Sequence, residues 1–354
     1  MKKLAIIICL LGMFSYSAGY AQFDNVGTSA ANFLKIGVGS RAEAMAGAYV
    51  AQVADVTALH WNPAGLARMQ NREVAIARTD WVLDINHVFV GAALPLGDVG
   101  TLGVSVYSLT MGDMEMTTAQ QPDGTGVMFG ASNFAIGLAY ARALTDRFSV
   151  GIQGKYIREN ISSASANAFA LDIGSQYRTN FRGLTIGMSI ANFGTNMTLS
   201  GREQLVRVDI DPTLGANPDA TPARLETEAW PLPLIFRIGV SMEVFNSGDN
   251  KITANVDYTD PRDVNPWTSF GVEYSLKNMV YLRGGWRSLL TAMGLFTNEK
   301  LEAEEANPEQ SFFTFGGGLY LKYPGKDYSL RIDYAYSDLG RLTQAHRFSV
   351  AFEF

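Results

Sequence analysis

Three histidines, His60, His87 and His346, are the side chains best suited to proton transfer near neutral pH. A hydrolase would need one of them beside a nucleophile and an orienting carboxylate. None sits in a recognisable nucleophile motif, so each reads as structural and no catalytic residue is assigned. Cys9 is the only cysteine, and it lies in the N-terminal apolar run of a secretory leader. With the leader removed, disulfides, thiolate catalysis and cysteine-bound metal are all excluded. Gly316-Gly317-Gly318 falls within a strand pattern, where close backbone approach explains it better than a phosphate loop. Carboxylates gather at Asp209, Asp211, Asp219, Glu226 and Glu228, and again at Glu299, Glu302, Glu304, Glu305 and Glu309. Their spacing matches no calcium loop, so they read as solvated loops and no metal or cofactor is expected.

The elements that would position these residues begin with the leader itself. Lys2 and Lys3 precede an apolar run from Leu4 to Phe14, and small residues follow to Ala21. This run is too short to span a bilayer as a helix, and 1–21 reads as a signal peptide. Its loss takes two positive charges from a chain already at −6. An acidic protein without a basic run is a poor nucleic-acid binder. No linker divides the remainder, and 47% hydrophobic residues with 35 glycines point to one large β-structure.

From Glu73 onward apolar residues recur with period two, giving about fourteen strands from Glu73–Asp80 to Gln344–Phe354. The connections after even-numbered strands are tight turns such as Pro95-Leu96-Gly97-Asp98. The long ones, Met111–Met128, Gly194–Pro231 and Thr291–Glu309, all follow odd-numbered strands. A soluble sandwich has no reason to segregate loop length by parity, whereas an outer-membrane barrel has short periplasmic turns and longer outer loops. Residues 71–354 therefore read as a transmembrane antiparallel β-barrel integral to a Gram-negative outer membrane, in contact with lipid and lipopolysaccharide. Trp81, Trp267, Trp286, Tyr156, Tyr177, Tyr258, Tyr281 and Tyr336 lie near strand ends, as an interfacial girdle would. Phe348, Val350, Phe352 and Phe354 share one face of the last strand and resemble the terminal signal by which such barrels are recognised for assembly. The other face of the strands carries Lys155, Arg237, Arg283, Arg331 and Arg347 against Asp172, Asp257, Glu273 and Asp333. Mixed charge of this density suits an occluded lumen.

Residues 22–70 read as the occluder, an N-terminal plug of short helices. Ser40 and Glu43 have the spacing of a capping box, Gly47 can end the first turn, and a second short helix is expected over Asp55–His60. Asn62-Pro63 stops it, Gly65 permits a tight turn, Ala64 lies between them, and Trp61 is the expected packing anchor. The segment from GSRAEAMAGAYVA to Trp61-Asn62-Pro63-Ala64-Gly65-Leu66 resembles the opening of the PorV/PorQ-like family of Bacteroidota outer-membrane proteins. That family is distantly similar to the long-chain fatty-acid transporter FadL, which has an N-terminal hatch with an Asn-Pro-Ala element. The resemblance implies a non-enzymatic role in type IX secretion, with a translocon barrel, the C-terminal domains of secreted cargo and the surface attachment machinery as partners. Met111, Met114 and Met116 offer an adaptable apolar contact for such a role. The alternative is passive transport of a hydrophobic molecule, with Gly100 and Gly103, or Gly183 and Gly187, as candidate kinks for a lateral opening.

Overall fold

The computed structural model describes residues 27–208, 221–288, 312–323, 325, 327–340 and 343–354. The leader, the carboxylates of Asp209–Asp219 and the whole Thr291–Glu309 connection lie outside them. Period-two alternation resolves into fourteen barrel strands. They are β1 (Glu73–Asp80), β2 (Asn86–Pro95), β3 (Thr101–Thr110), β4 (Ala131–Ala143), β5 (Phe148–Ile161), β6 (Ala164–Arg178) and β7 (Thr185–Gly194), followed by β8 (Ile235–Ser247), β9 (Asn250–Pro261), β10 (Trp267–Leu276), β11 (Val280–Arg287), β12 (Phe312–Lys322), β13 (Ser329–Asp338) and β14 (Gln344–Glu353). Each pairs antiparallel with its sequence neighbours, and β1 closes the barrel on β14 from Glu73 opposite Glu353 to Asp80 opposite His346. Among the described residues no barrel strand has an unpaired edge, as a lipid-exposed sheet requires. Two small ribbons rise from the connections after odd-numbered strands, Met114–Glu115 with Met128–Phe129 and Leu205–Val208 with Thr221–Arg224. No described helix is long and apolar enough to cross a membrane.

The two strand faces differ as alternation requires. On β14, Phe348 is 51% exposed on the outer wall while Arg347 is 3% exposed inside. Only a hydrocarbon solvent makes a continuous apolar exterior favourable, so the polar face lines the lumen.

Gly27 and Ala30 donate to the carbonyls of Asp263 and Pro231, on the connections after β9 and β7, so the chain enters the lumen at the outer end. It descends through Asn32–Lys35, Ser40–Glu43, Ala58–Trp61 and Pro63–Arg68, four short helical turns. It leaves at the inner end, where Arg72 and Phe354 exchange backbone hydrogen bonds. The hydrophobic core lies between this plug and the inner wall, with Met45, Tyr49, Val53, Leu59 and Leu66 all buried.

The capping box does not form. Gly39, at φ 85°, is the N-cap of the first turn. Ser40 shares a hydrogen bond with the Ser349 hydroxyl at 2.7 Å, and Glu43 pairs with Arg347 at 3.0 Å, so the wall takes both side chains. The second helix begins later than expected, at Ala58, because Asp55 accepts hydrogen bonds from the Thr57 amide and hydroxyl and holds a turn ahead of it. Asn62, at φ −165° and ψ 104°, ends it.

The wall is shaped to the plug by inward-facing glycines. A Cβ at Gly151 would overlap the Pro63 backbone, one at Gly187 the Val50 carbonyl, one at Gly285 the Met45 backbone and one at Gly316 the Ala44 side chain. Gly103 likewise faces Leu59 and Leu66, while Gly100 and Gly183 sit in turns at positive φ. The register shifts occur elsewhere, between Leu171 and Ile173 on β6 and between Glu243 and Phe245 on β8.

Candidate functional site: the plug and the chambers on either side

Asn62 is 0% exposed and ties three elements together. Its amide donates to the Val50 carbonyl and to the Ser175 carbonyl of β6, both at 3.0 Å, and its oxygen accepts from the Ala64 amide at 3.2 Å. The following turn is preset by Pro63, which occupies a first helical position where no amide hydrogen is needed. Ala64 and Gly65 are buried, and a Cβ at Gly65 would meet the Val53 carbonyl. Trp61 donates from Nε1 to the Val38 carbonyl at 2.8 Å, its own carbonyl accepts from Ser189 of β7 at 2.9 Å, and the Arg237 guanidinium lies 5.3 Å above its ring. The five motif residues thus gather at one contact between plug and wall. Phe348, Val350, Phe352 and Phe354 are remote from it, all on the lipid-facing side.

Around this contact the charged lumen residues form a network rather than a pore lining. Arg41 donates twice to Glu273, at 2.8 and 2.7 Å, and Arg283 bridges Glu273 to Asp333 at 2.6 Å each. Arg331 continues to Glu73 at 3.0 Å and to Asp55 at 3.4 Å. Asp257 accepts the amides of Tyr49 and Val50 at 2.7 and 2.8 Å. Burial alone would raise the Asp55 carboxyl, but Arg331 and Arg41 outweigh it and hold it below the ordinary carboxylate range. Through Arg41, Glu43 and Asp55 the plug is therefore cross-linked electrostatically to several strands of the wall, in a site dry enough for such pairs to matter.

The histidines do not assemble into chemistry. His60 and His87 flank the Tyr107 ring, with centroids 6.0 and 6.5 Å away, while His346 meets the Tyr334 hydroxyl at 2.8 Å on the opposite face of the wall. Burial pushes His60 well below its ordinary value, so it is neutral here. Among the described residues no three His, Cys, Asp or Glu side chains gather to hold a metal.

The plug separates two chambers. The outer one has a volume of about 620 Å³ and an apolar lining that includes Phe33, Ile36, Trp81, Ile85, Trp267 and Leu339. Trp81 lies 5.7 Å from the Arg347 guanidinium and Trp267 4.8 Å from that of Arg287, both lumen cations. These two tryptophans face inward and belong to the chamber rather than to a lipid girdle, whereas Trp286 packs on Phe313 at the outer surface. Alternation could not reveal this, because both residues sit at strand ends where the period no longer sets the face. The inner chamber, of about 390 Å³, is polar and lies among the short turns.

Comparison with known proteins fits this geometry. The fold is shared with the CymD monoaromatic hydrocarbon channel, at TM-score 0.54 and 11% identity over 90% of this chain and 97% of that one. A TodX monoaromatic hydrocarbon channel variant aligns at TM-score 0.52 and 11% identity over 90% and 98%. These likenesses agree with the distant similarity to FadL and, at such identity, describe the fold alone. No curated protein sequence matches the chain. Residues 20–219 match the family described as type IX secretion system protein PorV. That match covers more than half of the chain and includes the whole plug, and with the closed apolar-walled barrel it makes this protein a member of the PorV family, integral to the outer membrane.

Proposed function

We propose that this barrel is a non-enzymatic component of type IX secretion that acts through protein contacts at its outer face. The observation that carries the reading is the ribbon between β3 and β4. Beyond the last barrel pair, Thr110 with Ser132, it displays Met114, Val127 and Met128 at 52, 54 and 55% exposure, with Met116 beside them. Apolar side chains presented outside the barrel pairing are a recurrent mark of protein interaction surfaces, and methionine adapts to varied partners. The bound plug supports the same reading, since among the described residues hydrogen bonds and ion pairs tie it to the wall across the lumen. Within this reading Trp61, Asn62, Pro63, Ala64 and Gly65 anchor the plug, residues 22–70 form the plug unit, and Phe348, Val350, Phe352 and Phe354 mark the chain for barrel assembly. The partners are a translocon, the C-terminal domains of cargo, or the attachment machinery.

The test is to replace Met116 and Met128 together by aspartate. Secreted cargo should accumulate in the periplasm while barrel abundance and heat-modifiable mobility stay normal. Undiminished secretion would overturn the assignment of this surface.

A second reading, passage of a small apolar molecule, is favoured by the outer chamber alone. It predicts that Trp81→Ala and Trp267→Ala change cellular uptake of a monoaromatic hydrocarbon. The protein-contact reading predicts no change.

A further inference from the structure

The inner chamber is lined by more cations than carboxylates. Its lining includes Arg41, Arg68, Arg178 and Lys251 against Glu243 and Glu273. Both carboxylates are already engaged, Glu273 by Arg41, Arg283 and Gln52, and Glu243 by Lys251 at 2.7 Å and Asn246 at 3.1 Å. That leaves Arg68, at the end of the plug, and Arg178, at the end of β6. Arg68 has one long contact, 3.5 Å to the Gln176 oxygen. Gln176 is held there because its amide donates to the Val53 and Val50 carbonyls of the plug, at 2.9 and 3.3 Å. A neutral oxygen at that distance does little for a guanidinium. Arg178 stands two residues further along β6; its amide donates to the Arg147 carbonyl at 2.8 Å, but its guanidinium makes no hydrogen bond or ion pair among the described residues and acts only through space on Glu243, which Lys251 already holds. Burial and the neighbouring Arg178 charge both lower the Arg68 pKa, as expected of two cations facing one chamber.

We infer that Arg68 and Arg178 form a binding site for an oxyanion, a phosphate or a carboxylate, presented from the periplasm. The chamber opens among the short turns at Gly183 and Asn278, so the ligand reaches it from the inner side of the membrane. Two guanidinium forks facing one chamber match the paired oxygens of either group. In the outer chamber the cations are engaged, Lys35 with Asp263 at 2.6 Å, Arg347 with Glu43 at 3.0 Å and Arg287 over the Trp267 ring at 4.8 Å.

The site is tested on the purified full-length barrel in detergent, by following heat unfolding during titration with inorganic phosphate or with succinate at constant ionic strength, chloride being the reference. The unfolding midpoint should rise saturably with at least one of the two anions beyond the chloride response. Arg178→Met and Arg68→Met should each weaken the apparent affinity about tenfold or more, the scale of one charge-assisted hydrogen-bond set. Arg178 is exposed at a strand end, so its removal does not endanger folding. A response to phosphate alone assigns a tetrahedral ligand, and a response to succinate alone assigns a carboxylate. No response beyond chloride, or an equal response in the wild type and both variants, would overturn the site.

Discussion

Asn62 is the side chain on which most of the plug contact converges, because one amide group satisfies the plug backbone, the β6 backbone and the next turn at once. Asn62→Ala removes the side-chain donor to the Ser175 carbonyl and the acceptor of the Ala64 amide, and leaves the Val50 carbonyl only the longer Gln176 contact, a cost of about 1–3 kcal/mol for each buried group left unmet. Trp61→Ala adds a cavity and a lost hydrogen bond, worth about 3–5 kcal/mol by comparison with other large aromatic truncations. The double variant is expected to unfold at lower temperature and to show channel activity in planar bilayers that the wild type lacks. Unchanged closure and heat stability would contradict the anchoring role. His60 supplies a pH signature for the same contact. Its folded pKa is depressed, so its contribution is complete above the ordinary value of about 6.5 and is lost as the pH falls through its lowered folded value. Heat stability should therefore decline from pH 7 to pH 5, and His60→Gln should flatten that decline.

At the scale of elements, the plug and the strands explain each other. Lumen-facing glycines on β5, β7, β11 and β12 remove side chains where the plug backbone lies against the wall. Gly285→Val would drive a branched side chain into the Met45 backbone, and the expected result is a folded barrel with a displaced plug, seen as protease access to the N-terminal segment. An equally protected plug would contradict the moulded-wall account. The strands themselves were legible because hydrocarbon outside and polar groups inside impose a strict period of two on every span. Asn62-Pro63 was legible as a helix stop for an equally local reason, the steric clash before proline. The capping box at Ser40 and Glu43 was misread because its partners, Ser349 and Arg347, lie some three hundred residues away and compete successfully for both side chains. The outer chamber was missed for the same reason. Its lining joins the plug to several distant strand ends, and only closure of the barrel brings Trp81 and Trp267 together.

For the molecule as a whole, the charge pattern that could have lined an open pore is consumed internally. Arg41, Arg283 and Arg331 connect the plug carboxylate Asp55 to Glu273, Asp333 and Glu73 on the wall, so moving the plug means breaking several desolvated pairs together. Breaking one buried pair by removing a single partner costs about 3–5 kcal/mol in comparable proteins. Under the proposed reading, a barrel closed in this way acts through its outer ribbon, which carries Met114, Met116, Val127 and Met128. The most direct test places a photo-crosslinking amino acid at Met116 or Val127 in the native outer membrane and identifies the crosslinked species by mass spectrometry. Crosslinks to a secretion translocon, to the C-terminal domain of a secreted protein or to attachment machinery are the predicted result. A barrel that crosslinks to no protein and copurifies with a small apolar molecule would contradict the account.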